Sequence, residues 1–211
     1  MANGPGPPVG WHRRDNHAVG PPDPHDVAAY EAALGKVTVG PVEPLPGRVA
    51  LSDYDPGWPD RYEREAARVT TALGDRAIRL EHVGSTSVPG LAAKPIIDIV
   101  LEVPDSADEP AYVPDLEAAG YVLRIREPNW FEHRLLRAGR GGVNLHVFSA
   151  GCPETDRMVR FRDHLRRNVA DRDLYAATKR DLAGRDWKYM QQYADAKTGV
   201  VEEIMARATP P

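Results

Sequence analysis

With 211 residues, 23.2 kDa and 42% apolar side chains, the chain is long enough for one full domain with its own core. A formal net charge of −4 and a pI near 6.0 exclude a global field drawing it to nucleic acid or an anionic membrane. No apolar run approaches the roughly 20 residues of a membrane span, the N-terminus lacks the apolar stretch of a secretion signal, and the single Cys152 fits a reducing cytoplasm.

Residues 1–24 are rich in Pro and Gly and read as a mobile tail, with His12, Arg13, Arg14 and His17 solvated. Residues 25–47 form a leader: a short helix over 25–34 stopping at Gly35, then extended chain. The domain proper runs over 48–209 and opens with a short strand near 48–53. After Asp55-Pro56-Gly57, the residues Trp58, Tyr62, Ala66 and Val69 recur at helical spacing, and Gly74 closes that helix. Ile78, Leu80 and His82 share one face of the next strand, and 95–103 is another. A short helix over 115–119 stops at Gly120. Strands follow at 120–126, 130–137 and 142–149, the last two joined by Ala-Gly-Arg-Gly-Gly. From Glu154 the chain reads as helical, with breaks near 170 and 184–186. The expected class is α+β: a mixed β-sheet of about five strands flanked by helices, with a helical C-terminal third.

The chemistry concentrates in 81–103. Gly84, Ser85, Thr86 and Ser87 form a small-residue turn whose hydroxyls and N–H groups suit an anionic oxygen. Lys94, at the mouth of the following strand, supplies a flexible positive charge for a phosphate. Asp98 is a carboxylate in an aliphatic run and needs a partner, a cation or an open cleft. Val100, two residues on, ligates nothing, and Glu102 lies roughly 13 Å along the strand. Any metal centre therefore needs a second strand. Asn144 and His146 share a face of 142–149, so His146 is a candidate general base or ligand. His82 is a similar candidate beside the turn.

On the C-terminal helices, Arg162 and Arg166 lie one turn apart and suit a phosphate or carboxylate, with a solvated helix face as the plainer alternative. Tyr175/Lys179 and Tyr193/Lys197 are two i,i+4 pairs able to close over a ligand, or to pack along one another's stems.

The segment EHVGSTSVPGLAAKPIIDI, preceded by LSDYDPGWPDRYEREAARV and followed by NLHVF and YAATKRDLA, resembles the GrpB family (UPF0157) over about residues 48–199. The resemblance implies the nucleotidyltransferase superfamily and its polymerase-β-like fold. It implies that Gly84-Ser85 stands for the superfamily's Gly-Ser motif and Asp98 for the first carboxylate of its Asp-x-Asp. Val100 departs from that pattern where the second carboxylate belongs, and His146 falls in the region of the third acid. Some members of the family are fused to dephospho-coenzyme A kinase.

The resulting expectation is an enzyme acting on a nucleotide or phosphorylated small molecule. Asp98 and His146 are its catalytic residues, and Mg²⁺ at Asp98 bridges to phosphate. Binding falls to Gly84, Ser85, Thr86, Ser87, Lys94, His82, Arg162, Lys179, Tyr193 and Lys197. A non-catalytic binding module, or a metal-independent step on a biosynthetic intermediate, is the alternative.

Overall fold

Two aliphatic strands carry the centre of the molecule. β2 (Ile97–Val103) and β5 (Val143–Ser149) pair in parallel, with Asp98 opposite Asn144 and Val100 opposite His146. β1 (Arg79–Val83) adds antiparallel to β2, and β4 (His133–Ala138) antiparallel to β5. β3 (Val122–Glu127) pairs with β4 and closes the far edge, giving the order β1-β2-β5-β4-β3. One parallel pair among antiparallel neighbours makes the sheet mixed, and its flanking helices make the class α+β. The computed structural model describes residues 26–139 and 142–208. The tail expected over 1–24, the centre of the turn at 140–141 and the end of the chain from 209 lie outside them.

Strand alternation sends Ile97, Ile99, Leu101, Leu145 and Val147 to one face. There they are fully buried against α2 (Trp58–Leu73) and α3 (Val113–Ala118), through Trp58, Val69 and Leu116. Each such side chain removed from water contributes about 1.5–3 kcal/mol, so this face anchors the fold. The opposite face carries Asp98, Val100, Asn144, His146 and Phe148. Beneath α4 (Pro153–Arg167), Val100 and Phe148 are sealed with Val83 and Met158. The polar residues lie beyond that apolar patch. Over them stand α5 (Val169–Ala183), α6 (Met190–Asp195), α7 (Thr198–Arg207) and α1 (Val27–Val37).

Several boundaries move from the sequence expectation. α1 continues through Gly35 to Val37, and the Thr38 amide closes it by donating to the Leu34 carbonyl. The strand expected at 48–53 is a single bridge between Ser52 and Ala93. Ile78 stays outside β1 and is half exposed, so only Leu80 and His82 share the α2 face. β4 starts three residues late because Phe131 and Glu132 adopt positive φ, 53° and 49°. That turn places His133 directly across from Glu127. The break near 170 falls at Asn168, whose side chain caps α5 by accepting from the Asp171 amide.

Candidate functional site

Between the polar face of the sheet and the helices lies a cavity of about 270 Å³. Gly84, Ser85, Thr86, Lys94, Asp98, His146, Lys179, Tyr193 and Lys197, all singled out from sequence, line it together. The turn is held from outside. Arg166 donates twice to the Ser87 carbonyl, at 3.0 and 2.8 Å, and Ser87 Oγ donates to the Gly84 carbonyl at 2.6 Å. Thr86 Oγ1 donates to the Ile96 carbonyl at 3.1 Å. Ser85 is the turn hydroxyl that meets a cavity cation: Lys179 Nζ donates to its Oγ at 3.0 Å.

The cavity wall is cationic. Lys179 is almost completely buried, bonds the Ala92 carbonyl, and lies 4.9 Å from the Tyr175 ring centre. Lys197 stands 4.7 Å and Lys94 5.8 Å from the centre of the Tyr193 ring, and Lys94 also meets Met190 Sδ. Both i,i+4 pairs are therefore real contacts. Burial, and then the neighbouring Lys197, Arg180 and Lys94, bring Lys179 down to about 7. Burial and Lys197 bring Lys94 to about 8, and burial brings Lys197 to about 8 against the pull of Asp98 and Asp195. Arg137, across from Asn144, adds a guanidinium to the same wall. An anion entering here relieves repulsion that protein groups alone leave standing.

Asp98 keeps 23% of its side-chain surface open. Burial pushes its carboxyl up, but the nearness of His146, the Asn144 bond and Lys94 outweigh that and hold it below the ordinary range. Asn144 Nδ2 donates to Oδ1 at 2.8 Å, and His146 Nε2 stands 3.9 Å from the same oxygen, too far for a hydrogen bond. Behind His146 the row continues. His133 Nε2 is 3.1 Å from His146 Nδ1, and His133 Nδ1 is 2.8 Å from Glu127 Oε2. Burial brings His133 down to about 4, so its ring is neutral. Trp130 packs edge-on against both His133 and Phe148.

Three expected residues stand outside the cavity. His82 points to the α2 face, stacks on Tyr62 at 4.9 Å and pairs with Thr86 Oγ1 at 3.0 Å. Ser87 is buried and serves the turn. Arg162 bonds Glu81, Asp163 and the His82 carbonyl, pinning α4 to β1 instead of facing a ligand. Conversely, the sequence reading did not single out Glu127, His133 or Arg137. The alternation His133-Leu135-Arg137, set beside that of Asn144 and His146, was the available signal for two of them.

The donor set around Asp98 does not fit a protein-built Mg²⁺ site. Among the described residues no three His, Cys, Asp or Glu side chains converge as metal ligands. Asn144 turns its amide N–H to Asp98, and Lys94 and Lys197 place positive charge beside it, which disfavours a further cation. The positive charge a metal would supply is already present on this wall.

The fold and cavity define an α+β protein with an internal, lysine-lined chamber built against a single strand carboxylate. A sequence profile described as GrpB protein matches residues 48–207, and the chain belongs to that family. It is 59% identical to a UPF0157 protein of Halalkalibacterium halodurans over 175 residues, covering 83% of this chain and 90% of that one. A UPF0157 protein of Streptomyces coelicolor is 47% identical over 160 residues, 76% and 84% of the two chains. A protein of Mycolicibacterium paratuberculosis named dephospho-CoA kinase is 46% identical over 187 residues, covering 76% of this chain but 46% of that one. The crystal structure of conserved protein GrpB from Enterococcus faecalis superposes with a TM-score of 0.65 at 30% identity, covering 75% of this chain and 96% of that one. Among the described residues no helix is long and apolar enough to cross a membrane.

Proposed function

We propose that the protein is an enzyme of the nucleotidyltransferase superfamily acting on a nucleotide or another phosphorylated small molecule. Ser85, Lys94, Lys179 and Lys197 hold the phosphate, and Asp98 with His146 moves a proton. The observation that carries this reading is the convergence of three partly or wholly buried lysines on one cavity beside one acid. A polymerase-β-like ancestry is supported by the Gly84-Ser85 turn seated on Asp98 at the start of the next strand. Val100 lies sealed among Val83 and Phe148, which favours single-acid proton transfer over two-metal chemistry. A cytoplasmic setting suits its single buried thiol, Cys152.

The same Val100 also supports a second reading, a binding module that keeps the cradle without turnover. Calorimetry with ATP, GTP, coenzyme A and dephospho-coenzyme A, each with and without Mg²⁺, separates them when product formation is followed in parallel. The coenzymes are chosen because of the mycobacterial relative named dephospho-CoA kinase. Binding lost in Lys179→Ala and Lys197→Ala, together with turnover, supports the enzyme. Tight binding without turnover of any probe supports the module. Absence of anion binding, or binding indifferent to both lysines, overturns both.

A further inference from the structure

We propose that Ser85 and Lys179 form a nucleophile–base dyad, in which Ser85 Oγ attacks the phosphorus of the compound held in the cavity and carries the transferred group covalently. The inference rests on reading the cavity as a phosphate site. It deepens that reading by turning Ser85 from a contact into the attacking atom, and Lys179 from a counter-charge into its base.

Lys179 differs from the other two lysines in what surrounds it. Lys94 and Lys197 both feel the Asp98 carboxylate, which favours their charged forms. Among the described residues the partners of Lys179 are neutral: the Ser85 hydroxyl at 3.0 Å, the Ala92 carbonyl and the Tyr175 ring. Its charged neighbours, Lys197, Arg180 and Lys94, are all cations. A buried ammonium so placed gives up its proton readily, and burial with those cations brings it to about 7. As an ammonium it donates to both oxygens. As an amine it keeps an N–H for Ala92 and turns its lone pair to the Ser85 O–H across the same 3.0 Å. A desolvated amine within hydrogen-bond reach of a hydroxyl is the arrangement that activates a serine.

Ser85 is half-buried on the cavity wall, where a substrate can meet it. Lys179, only 2% exposed, has to reach Ser85 alone. Ser85 opens a one-turn 3-10 helix, Ser85–Ser87, which Arg166 clamps through the Ser87 carbonyl, so the nucleophile is held still. Tyr175, one turn before Lys179 on α5, also acts on Ser85, but burial pushes its phenol up to about 12 and leaves it no rival base. In the first step the Ser85 O–H bond breaks and its proton passes to Lys179 Nζ. The Oγ–P bond forms, and the bond from phosphorus to the leaving oxygen breaks. Its electron pair stays on that oxygen, to which Lys179 returns the proton. In the second step an acceptor hydroxyl or water attacks phosphorus and gives its proton to Lys179, and Ser85 Oγ leaves and takes that proton back. Lys94, Lys197 and Arg137, on the same wall, balance the phosphate oxygens in both steps.

Labelling of the full chain by diisopropyl fluorophosphate, a phosphorus electrophile that releases fluoride, tests the dyad through intact mass and peptide mapping. An adduct on Ser85 is expected, formed at a rate that rises as pH passes through about 7, where Lys179 becomes the amine. An unlabelled Ser85, or a label on Tyr175 or Lys179 in its place, overturns the proposal. So does a rate that climbs only toward the ordinary lysine value of 10.5. Lys179→Met, with its folding checked by thermal melting, is expected to slow labelling by about 100-fold or more, the span a positioned base contributes. A folded variant labelled at the native rate overturns the dyad, and the native pH profile decides if the variant does not fold. Inorganic phosphate is the separate readout, expected to bind by calorimetry and to protect Ser85 from the label. Ser85 labelled without protection sinks the phosphate reading of the cavity, whereas phosphate bound beside an unlabelled Ser85 sinks the dyad alone.

Discussion

Gly84 lies directly against Asp98: a Cβ built on the glycine would stand 2.3 Å from Oδ2 and 2.9 Å from the Asp98 Cβ. Its φ of +67° is also one that side chains rarely adopt. Closeness and conformation together make glycine the residue that lets the turn rest on the acid. Gly84→Ala is therefore expected to lose about 1–3 kcal/mol of stability from backbone strain and overpacking. It should also weaken anion binding, because Ser85 moves with the turn. Thermal unfolding and calorimetry on one preparation check this. Native stability with native affinity would mean that the turn does not depend on its contact with Asp98.

The lysine wall predicts a pH dependence with a definite sign. Lys179 sits at about 7 and Lys94 and Lys197 at about 8, each below the ordinary 10.5. They are charged below those values, so anion affinity is expected to be strongest under pH 7 and to fall as pH rises through 8. Between about 7 and 10.5 the unfolded chain binds more protons than the folded one, so stability rises with pH across that window through these groups. Binding an anion restores the ammonium forms, and proton uptake should accompany it at pH 8. Calorimetry in two buffers of different ionisation enthalpy measures that uptake. A binding heat independent of the buffer would contradict it.

Much of this architecture was legible because it obeys period and punctuation. The isoleucines around Asp98 marked a central strand, the Trp58-to-Val69 spacing marked α2, and Gly74 marked its end. The motif at Gly84–Asp98 carried the family. The face on which His82 lands was harder to read. Strand alternation separates it from Val83, and only the pairing of Val83 with Asp98 shows that His82 looks the other way. Arg162 was ambiguous because a phosphate clamp and a strand-pinning ion pair use the same guanidinium chemistry. Glu127 and His133 escaped because a hairpin register joins them, and a turn containing two non-glycine residues at positive φ leaves no glycine signal in the sequence.

Asp98→Asn should separate binding from chemistry. The amide keeps the shape of the carboxylate and can still meet Asn144, so folding is expected to lose no more than about 1–2 kcal/mol at neutral pH. Because the folded carboxyl is held below its ordinary value, its ionised form stabilises the native state above the unfolded pKa. That contribution disappears as pH falls through the folded value, so the variant and the native protein should converge in stability in acid. Removing a negative charge from a cationic cavity leaves anion binding unimpaired or tighter, while turnover is expected to vanish. Activity retained at the native rate would remove Asp98 from the chemistry.

The leader supplies a wall that the family profile, beginning at residue 48, does not include. Leu34, Thr38, Pro41, Val42 and Glu43 all line the cavity. They are tied down at several points. Tyr30 donates to Asp195 at 2.5 Å, Lys188 and Tyr189 donate to Glu31 at 2.6 and 2.7 Å, and Val39 donates to the Arg124 carbonyl at 2.8 Å. Val39 is the one leader side chain packed against the apolar core under α2 among the described residues, so a chain lacking residues up to 47 should still fold. Its cavity, however, would open to water, and Lys94 and Lys197 would rise toward their ordinary values as burial is lost. Anion affinity is expected to fall by about tenfold, equivalent to about 1.4 kcal/mol, with its pH midpoint moving to the alkaline side. Calorimetry across pH on the shortened and full chains gives both quantities. An unchanged affinity with an unchanged midpoint would show that the leader merely lies beside the chamber.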